Sequence, residues 1–251
     1  ESLDLSRMNL EPGQIVIEAF SGLKSLKMLN LSYNKITFIN NNMLNSLENL
    51  ESLNLSRVGL SSKFSIQLNS TTFETMKNHL KVLRLSGNKI ILHENCFECL
   101  IHLKELDISF VKMRSRKEID LLNSLKGLEK LKLKFFDANF QLKIYRLSKM
   151  IHLKELNVNI RENDVQQFKE MLLRENQINA NPTNDDLCWF ILNNLRQMTH
   201  LDLSFCDLNY INKRVLSKMT DLINLDLSFN RINQISDDDT FDSLLNLTNI
   251  S

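Results

Sequence analysis

Glycine and proline are scarce in this chain, at 5 and 2 of 251 residues. A sheet-and-loop domain of that size ordinarily turns on those two residue types, so this one turns by other means. Long apolar runs are missing too. No stretch of 18 apolar residues occurs, which excludes a membrane-spanning helix within the sequence. The opening ESLDLSRMNL has neither the basic nor the apolar region of a signal peptide. Charge of one sign is also absent. Lys and Arg number 31 against 30 Asp and Glu, for a net +1, which gives no global reason to bind nucleic acid or an anionic membrane. The 43% hydrophobic content argues for a packed core and against disorder.

Chemistry-bearing motifs are equally thin. The four cysteines do not make a framework: Cys96 and Cys99 form a lone C-x-x-C, read as packed thiols or a local bridge, and Cys188 falls on an apolar helix face. His79, His102, His152 and His200 are spread along the chain, and His102 and His152 lie two repeats apart, too far to share a metal. Asp237, Asp238 and Asp239 lack the interleaved spacing and glycine of a calcium loop. There is no G-x-S-x-G, H-E-x-x-H, phosphate loop or dinucleotide fingerprint. No catalytic residue, metal or cofactor is expected.

What the chain has is leucine and asparagine, 46 and 31 of them, in register. The pattern L-x-x-L-x-L-x-x-N-x-L runs through Leu26, Leu29, Leu31, Asn34 and Ile36. It returns at Leu80, Leu83, Leu85, Asn88 and Ile90, and again at Leu222, Leu225, Leu227, Asn230 and Ile232. Degenerate copies begin at Leu50, Leu103, Leu128, Leu153 and Met198. The second apolar position of each copy falls at 3, 29, 53, 83, 106, 131, 156, 201, 225 and 250. A period near 24 residues, so often repeated, predicts an α/β leucine-rich repeat solenoid, a horseshoe with a parallel concave sheet and an irregular or helical convex side. The expected unit is a single solenoid over 1–251 with about ten coils.

Each copy explains part of the composition. Leu-x-Leu is a short strand whose leucines enter the core while the residues between them face the concave side. Three residues later stands Asn34, Asn88 or Asn230, whose amide can satisfy backbone groups freed where the chain leaves the strand. Cys206 fills the same ladder site, and elsewhere it holds Met8, Val58, Val111, Phe136 and Arg161. An apolar residue six before each start anchors the return arm: Phe20, Leu44, Phe97, Leu122, Leu147, Leu192, Leu216 and Phe241. Two stretches break the period. Residues 61–79 are longer than a normal return arm. Residues 161–197 carry Val165, Phe168, Met171 and Leu172 at helical spacing, then a second helical run capped by Asp186.

Two stretches, GLKSLKMLNLSYNKITFI and TDLINLDLSFNRINQISDDDTFDSLLNL, resemble a Toll-like receptor ectodomain, and the resemblance extends over the whole chain, more loosely at 107–198. It implies a non-catalytic segment for ligand recognition and receptor dimerisation in innate immunity. The alternative is a secreted or anchored repeat protein of adhesion or structure. Cysteine-rich caps and a signalling domain are absent, so the sequence reads as an internal segment of a longer chain. The implied setting is the extracellular or endosomal-lumenal side of a membrane receptor, with membrane contact only through segments outside this sequence.

The expected contact surface is the concave or lateral face, taking a protein or microbial ligand, or another repeat ectodomain as a homo- or heterodimer; nucleic acid is not excluded. Lys130, Lys132 and Lys134 share one face of the sixth copy, within a stretch (104–154) holding thirteen basic and six acidic residues. Glu105 and Glu155 flank them and are positioned to neutralise them. Before the ladder site stand Tyr33, Phe110, Phe135, Phe205 and Phe229, a candidate aromatic contact stripe. Five sequons mark candidate glycosylation sites, Asn30, Asn54, Asn69, Asn246 and Asn249. N-L-S arises automatically in the strand motif at Asn30 and Asn54, which makes Asn69, in the longer arm, the best placed.

Overall fold

The computed structural model describes residues 1–11, 14, 18–36, 41–58, 66–92, 95–113, 124–134, 144–160, 162–174, 181–233, 235 and 239–251. Leu122, Phe135, Phe136, Arg161, Asp237 and Asp238 lie outside these described residues.

Each repeat start yields one three-residue or two-residue strand. These are β1 (Ser2–Asp4), β2 (Met28–Asn30), β3 (Ser52–Asn54), β5 (Val82–Arg84), β7 (Glu105–Asp107), β9 (Lys130–Lys132), β10 (Glu155–Asn157), β11 (His200–Asp202), β12 (Asn224–Asp226) and β13 (Asn249–Ile250). They form a ten-stranded parallel sheet in chain order. Register follows the repeat: Leu3 pairs with Leu29, Leu29 with Leu53, Leu53 with Leu83 and Leu83 with Leu106. Leu156, Leu201 and Leu225 stand opposite one another likewise. Alternation does the sorting, since a one-residue slip would turn every leucine outward. The fold is a leucine-rich repeat solenoid.

The chain groups into two compact units, Glu1–Leu128 with Lys132–Phe140, and Glu129–Leu131 with Gln141–Ser251. In the first unit the strand leucines from β2 on are buried together with the return-arm residues Phe20, Leu44 and Phe97, while Leu3 and Leu5 of the first coil are half-buried. Phe73 and Phe97 pack ring to ring at 6.1 Å. This unit holds a second sheet that the repeat pattern does not announce: β4 (Ile66–Leu68), β6 (Lys89–Leu92) and β8 (Lys112–Met113), all parallel. Ile66 and Leu68 are buried in it. Part of the long arm at 61–79 is thus sheet, followed by a 3-10 turn at Glu74–Met76. A short helix, α1 (Asn41–Leu44), closes an earlier arm.

In the second unit the long insertion is helical. Helix α2 (Glu162–Arg174) buries Phe168 and Leu172, one turn apart on one face. Helix α3 (Asn184–Leu192) buries Leu187, Cys188, Trp189, Ile191 and Leu192, with Phe168 and Phe190 4.9 Å apart between the two helices. The N-cap of α3 is Thr183 and not Asp186. Asp186 sits at the third helical position and completes a capping box: its N–H donates to Thr183 Oγ1 at 3.2 Å, and Thr183 N–H donates to Asp186 Oδ2 at 2.8 Å. The helix begins three residues earlier than the apolar run suggests because Asn184, Asp185 and Asp186 form its polar first turn. A short helix, α4 (Lys213–Leu216), starts on Asn212, whose Oδ1 accepts Val215 N–H at 3.1 Å. Leu147, Leu192 and Leu216 are buried as return-arm anchors, whereas Phe241 is half-exposed.

Candidate binding surface

The exit from each strand is built from three side-chain devices in sequence. First, the polar residue ending the strand folds back on its own chain. Asp4, Asn30, Asn54, Asp107, Asp202 and Asp226 each accept, through Oδ1, the N–H two residues on, at 2.8–3.1 Å. This accounts for Asn30 and Asn54, whose sequon partners Ser32 and Ser56 are buried in the turn. Asn69 also sits in an Asx turn, accepting Thr71 N–H at 3.0 Å; it is half-buried, with Ser70 and Thr71 exposed beside it. Asn246 and Asn249 are exposed.

Second, the ladder amides clamp neighbouring coils. Asn88 Nδ2 donates to Leu55 O at 2.6 Å and Leu85 O at 2.8 Å, while its Oδ1 accepts Val58 N–H at 2.8 Å. Asn34 does the same for Leu5 O, Leu31 O and Leu10 N–H, and Asn230 for Leu203 O, Leu227 O, Cys206 N–H and Leu208 N–H. At Cys206 the thiol lies 3.5 Å from Val158 O and 4.0 Å from Ser204 O, longer contacts than those the asparagine amides make. Val58 and Val111 fill the site with buried apolar bulk, and Met8 is exposed. All four cysteines are free thiols, and burial pushes Cys96 up to about 12.

Third, the residue before the ladder site is left-handed at seven described positions, though not at Ile160. Arg7, Tyr33, Arg57, Gly87 and Phe110 in the first unit have φ of 58°, 58°, 55°, 70° and 56°; Phe205 and Phe229 in the second have 61° and 56°. Bulky side chains rarely adopt that backbone. Where a coil follows, the N–H is drawn to it: Arg7 to Ser32 O, Tyr33 to Ser56 O, Arg57 to Ser86 O and Gly87 to Ser109 O, at 2.9–3.0 Å. This is how the chain turns with so little glycine. The forced turn also throws the side chains outward, where they stack. Arg7 and Arg57 cover the Tyr33 ring at 4.8 and 5.5 Å from its centroid. Phe205 and Phe229 stack at 4.3 Å with planes 9° apart. A Cβ on Gly87 would meet Arg57 Cγ at 2.8 Å, so the one glycine in the series leaves room for the arginine.

The charged strand residues are mostly spoken for. Lys130, in the second unit, reaches Glu155 at 2.5 Å, and Glu129 pairs with Lys154 at 2.9 Å. In the first unit Glu105 pairs with Arg84 at 2.7 Å and not with a lysine of the sixth copy. Lys132 is exposed and Lys134 half-buried, its carbonyl accepting Phe110 N–H at 2.8 Å. Glu51 lies between Lys81 at 2.8 Å and Lys27 at 3.1 Å, and these hold its carboxyl at about 2. Phe110 is 53% exposed, and Phe135 falls outside the described residues. Sequence reasoning missed Asp185, a buried acid on α3. Its Oδ1 accepts Asn209 N–H at 3.0 Å and its Oδ2 accepts Asn209 Nδ2 at 2.8 Å. It does for the coil after the insertion what a ladder amide does elsewhere. No group of three or more metal-ligating side chains occurs among the described residues, and no helix among them is long and apolar enough to cross a membrane.

Comparison with known proteins bears on this geometry. A leucine rich repeat family model matches residues 1–60, and a second leucine rich repeat model matches residues 77–91. No curated protein sequence matches the chain. Among solved structures, the mouse RP105/MD-1 complex superposes with a TM-score of 0.63 at 23% identity, over 99% of this chain and 37% of that one. The TLR13–ssRNA13 complex gives 0.52 at 25%, over 92% and 37%. The Drosophila Toll–Spatzle complex gives 0.58 at 18%, over 94% and 31%. The chain therefore spans well under half the length of these proteins. With its ten-stranded parallel sheet and these neighbours, the chain is a leucine-rich repeat protein resembling a Toll-like receptor ectodomain.

Proposed function

We propose that the chain is a non-catalytic ligand-recognition and dimerisation segment of a Toll-like innate immune receptor ectodomain. The observation that carries this reading is the alignment of outward-facing side chains, coil after coil, at the strand positions and at the left-handed turn. A repeat that fixes its backbone with buried amides leaves those side chains free for contact. The similar structures support binding as the mode of action, since they are complexes with MD-1, with single-stranded RNA and with Spatzle. The contact residues we assign are Tyr33, Phe110 and Lys132, with Phe135 beside them in sequence. Lys130 is engaged by Glu155 and contributes less. Asn69 is the glycosylation site we favour. The protein would work on the extracellular or endosomal-lumenal side of a membrane.

The test displays the chain on cells, fused to a reporter that fires only on dimerisation, and exposes it to single-stranded RNA and to microbial protein and lipid fractions. A response lost in a folded Tyr33→Ala, Lys132→Glu variant supports the reading. Silence of the reporter, together with adhesion of the displaying cells to a matrix, would assign the chain to adhesion.

A further inference from the structure

The insertion between β10 and β11 does more than lengthen a coil. Within the second unit α2, α3 and α4 line an open cleft of about 580 Å³, inside the roughly 300–1,000 Å³ range of small-molecule sites. Its apolar wall comes from Phe168 and Leu172 on α2, Trp189 and Phe190 on α3, and Val215 on α4. Phe168, Leu172, Trp189 and Val215 are each at most 5% exposed, and Phe190 is the partly exposed member of this wall. Trp189 is 4% exposed, yet its indole N–H meets no acceptor, a cost that a buried polar group normally avoids.

The polar lining is lopsided. Arg214 and Lys218 supply two cations. Lys218 donates to the neutral Asn193 Oδ1 at 2.6 Å, and Arg214 has no carboxylate partner among the described residues. The one acid in the lining, Asp186, is occupied by the capping box, accepting Thr183 N–H and, at 2.9 Å, its hydroxyl. Apolar side chains beside two cations that have no carboxylate partner among the described residues suit a ligand with a short hydrocarbon body and an anionic head.

We propose that this cleft binds an amphiphilic carboxylate, with its chain against Phe168, Trp189 and Val215 and its head at Arg214 and Lys218. The site lies apart from the strand and turn surfaces and does not rest on the receptor reading. Its occupancy has a built-in reporter, because Trp189 is the single tryptophan of the sequence. Titrating the whole chain with decanoate, below its micelle concentration, should change tryptophan emission saturably. Decyltrimethylammonium, with the same tail and opposite head, should bind at least about tenfold more weakly. In a double variant, Arg214→Glu with Lys218→Glu, that preference should reverse while the circular dichroism spectrum is unchanged. No saturable change, an equal response to both amphiphiles, or an unaltered preference in the folded double variant would overturn the proposal. So would an emission change on concentrating the protein alone, which would give the cleft to a second copy of the chain.

Discussion

At the scale of single residues, stability rests on side chains that substitute for backbone partners. Asn88 is buried and serves two carbonyls and one N–H on two coils. Asn88→Ala strands these groups, and we expect a loss of about 2–4 kcal/mol by urea denaturation. Asn88→Cys should cost less, because Cys206 shows that a thiol fits the site and still reaches backbone carbonyls. An equal cost for both would mean that the thiol recovers none of the amide's hydrogen bonding. Asp185→Ala should destabilise comparably, by about 2–3 kcal/mol, since it frees Asn209 and Tyr210 backbone groups. Glu51 makes a pH prediction. Its carboxyl is depressed from 4.5 to about 2, first by its hydrogen bond to Lys81 and then by Lys27. A depressed acid adds stability above its unfolded value and loses it as pH falls through the folded one. Unfolding midpoints of Glu51→Gln and the parent should therefore differ at neutral pH and converge between about 4.5 and about 2. A constant difference across that window would refute the pairing. The ladder asparagines were legible because the motif repeats them at fixed spacing. Asp185 was not, because the insertion separates it from any copy. Nor was the left-handed turn, since arginine and phenylalanine give no hint of positive φ.

At the scale of elements, local patterns told most where one period dominated. Strand positions followed from Leu-x-Leu, and α2 from the spacing of Phe168 and Leu172. The second sheet escaped notice because β6 directly follows Asn88, where the repeat consensus suggests only a turn; its strands gain their identity from each other and not from local sequence. The start of α3 was misplaced for a simpler reason: apolar periodicity locates a buried face, while a helix begins where its free N–H groups find acceptors. Thr183→Ala should cost about 1 kcal/mol, by thermal or urea unfolding. A loss confined to Asp186→Ala, with Thr183→Ala silent, would return the cap to Asp186. In β9 the two faces should separate sharply. Leu131 is fully buried and Leu131→Ala should cost about 2–5 kcal/mol, whereas exposed Lys132→Ala should stay within about 0.5 kcal/mol. The reverse order would invert the face assignment.

At the scale of the whole molecule, each coil is buried by its neighbours, so protection from exchange should vary along the chain. In the first unit the amides of Leu55 and Leu85, hydrogen-bonded to Arg84 O and Asp107 O between fully buried leucines, should exchange most slowly. Leu5, only half-buried, should exchange faster although it makes the same kind of bond to Asn30 O. Hydrogen-exchange mass spectrometry showing no such gradient would contradict nearest-neighbour stacking. The left-handed column carries a last consequence. Its backbone is dictated by the coil ahead, not by the residue that occupies it, and it already accommodates arginine, tyrosine, glycine and phenylalanine. A site whose geometry is indifferent to its occupant can trade side chains without refolding. Specificity written there can drift by single substitutions while the scaffold stays put, so partner choice and fold maintenance are separately heritable in this architecture.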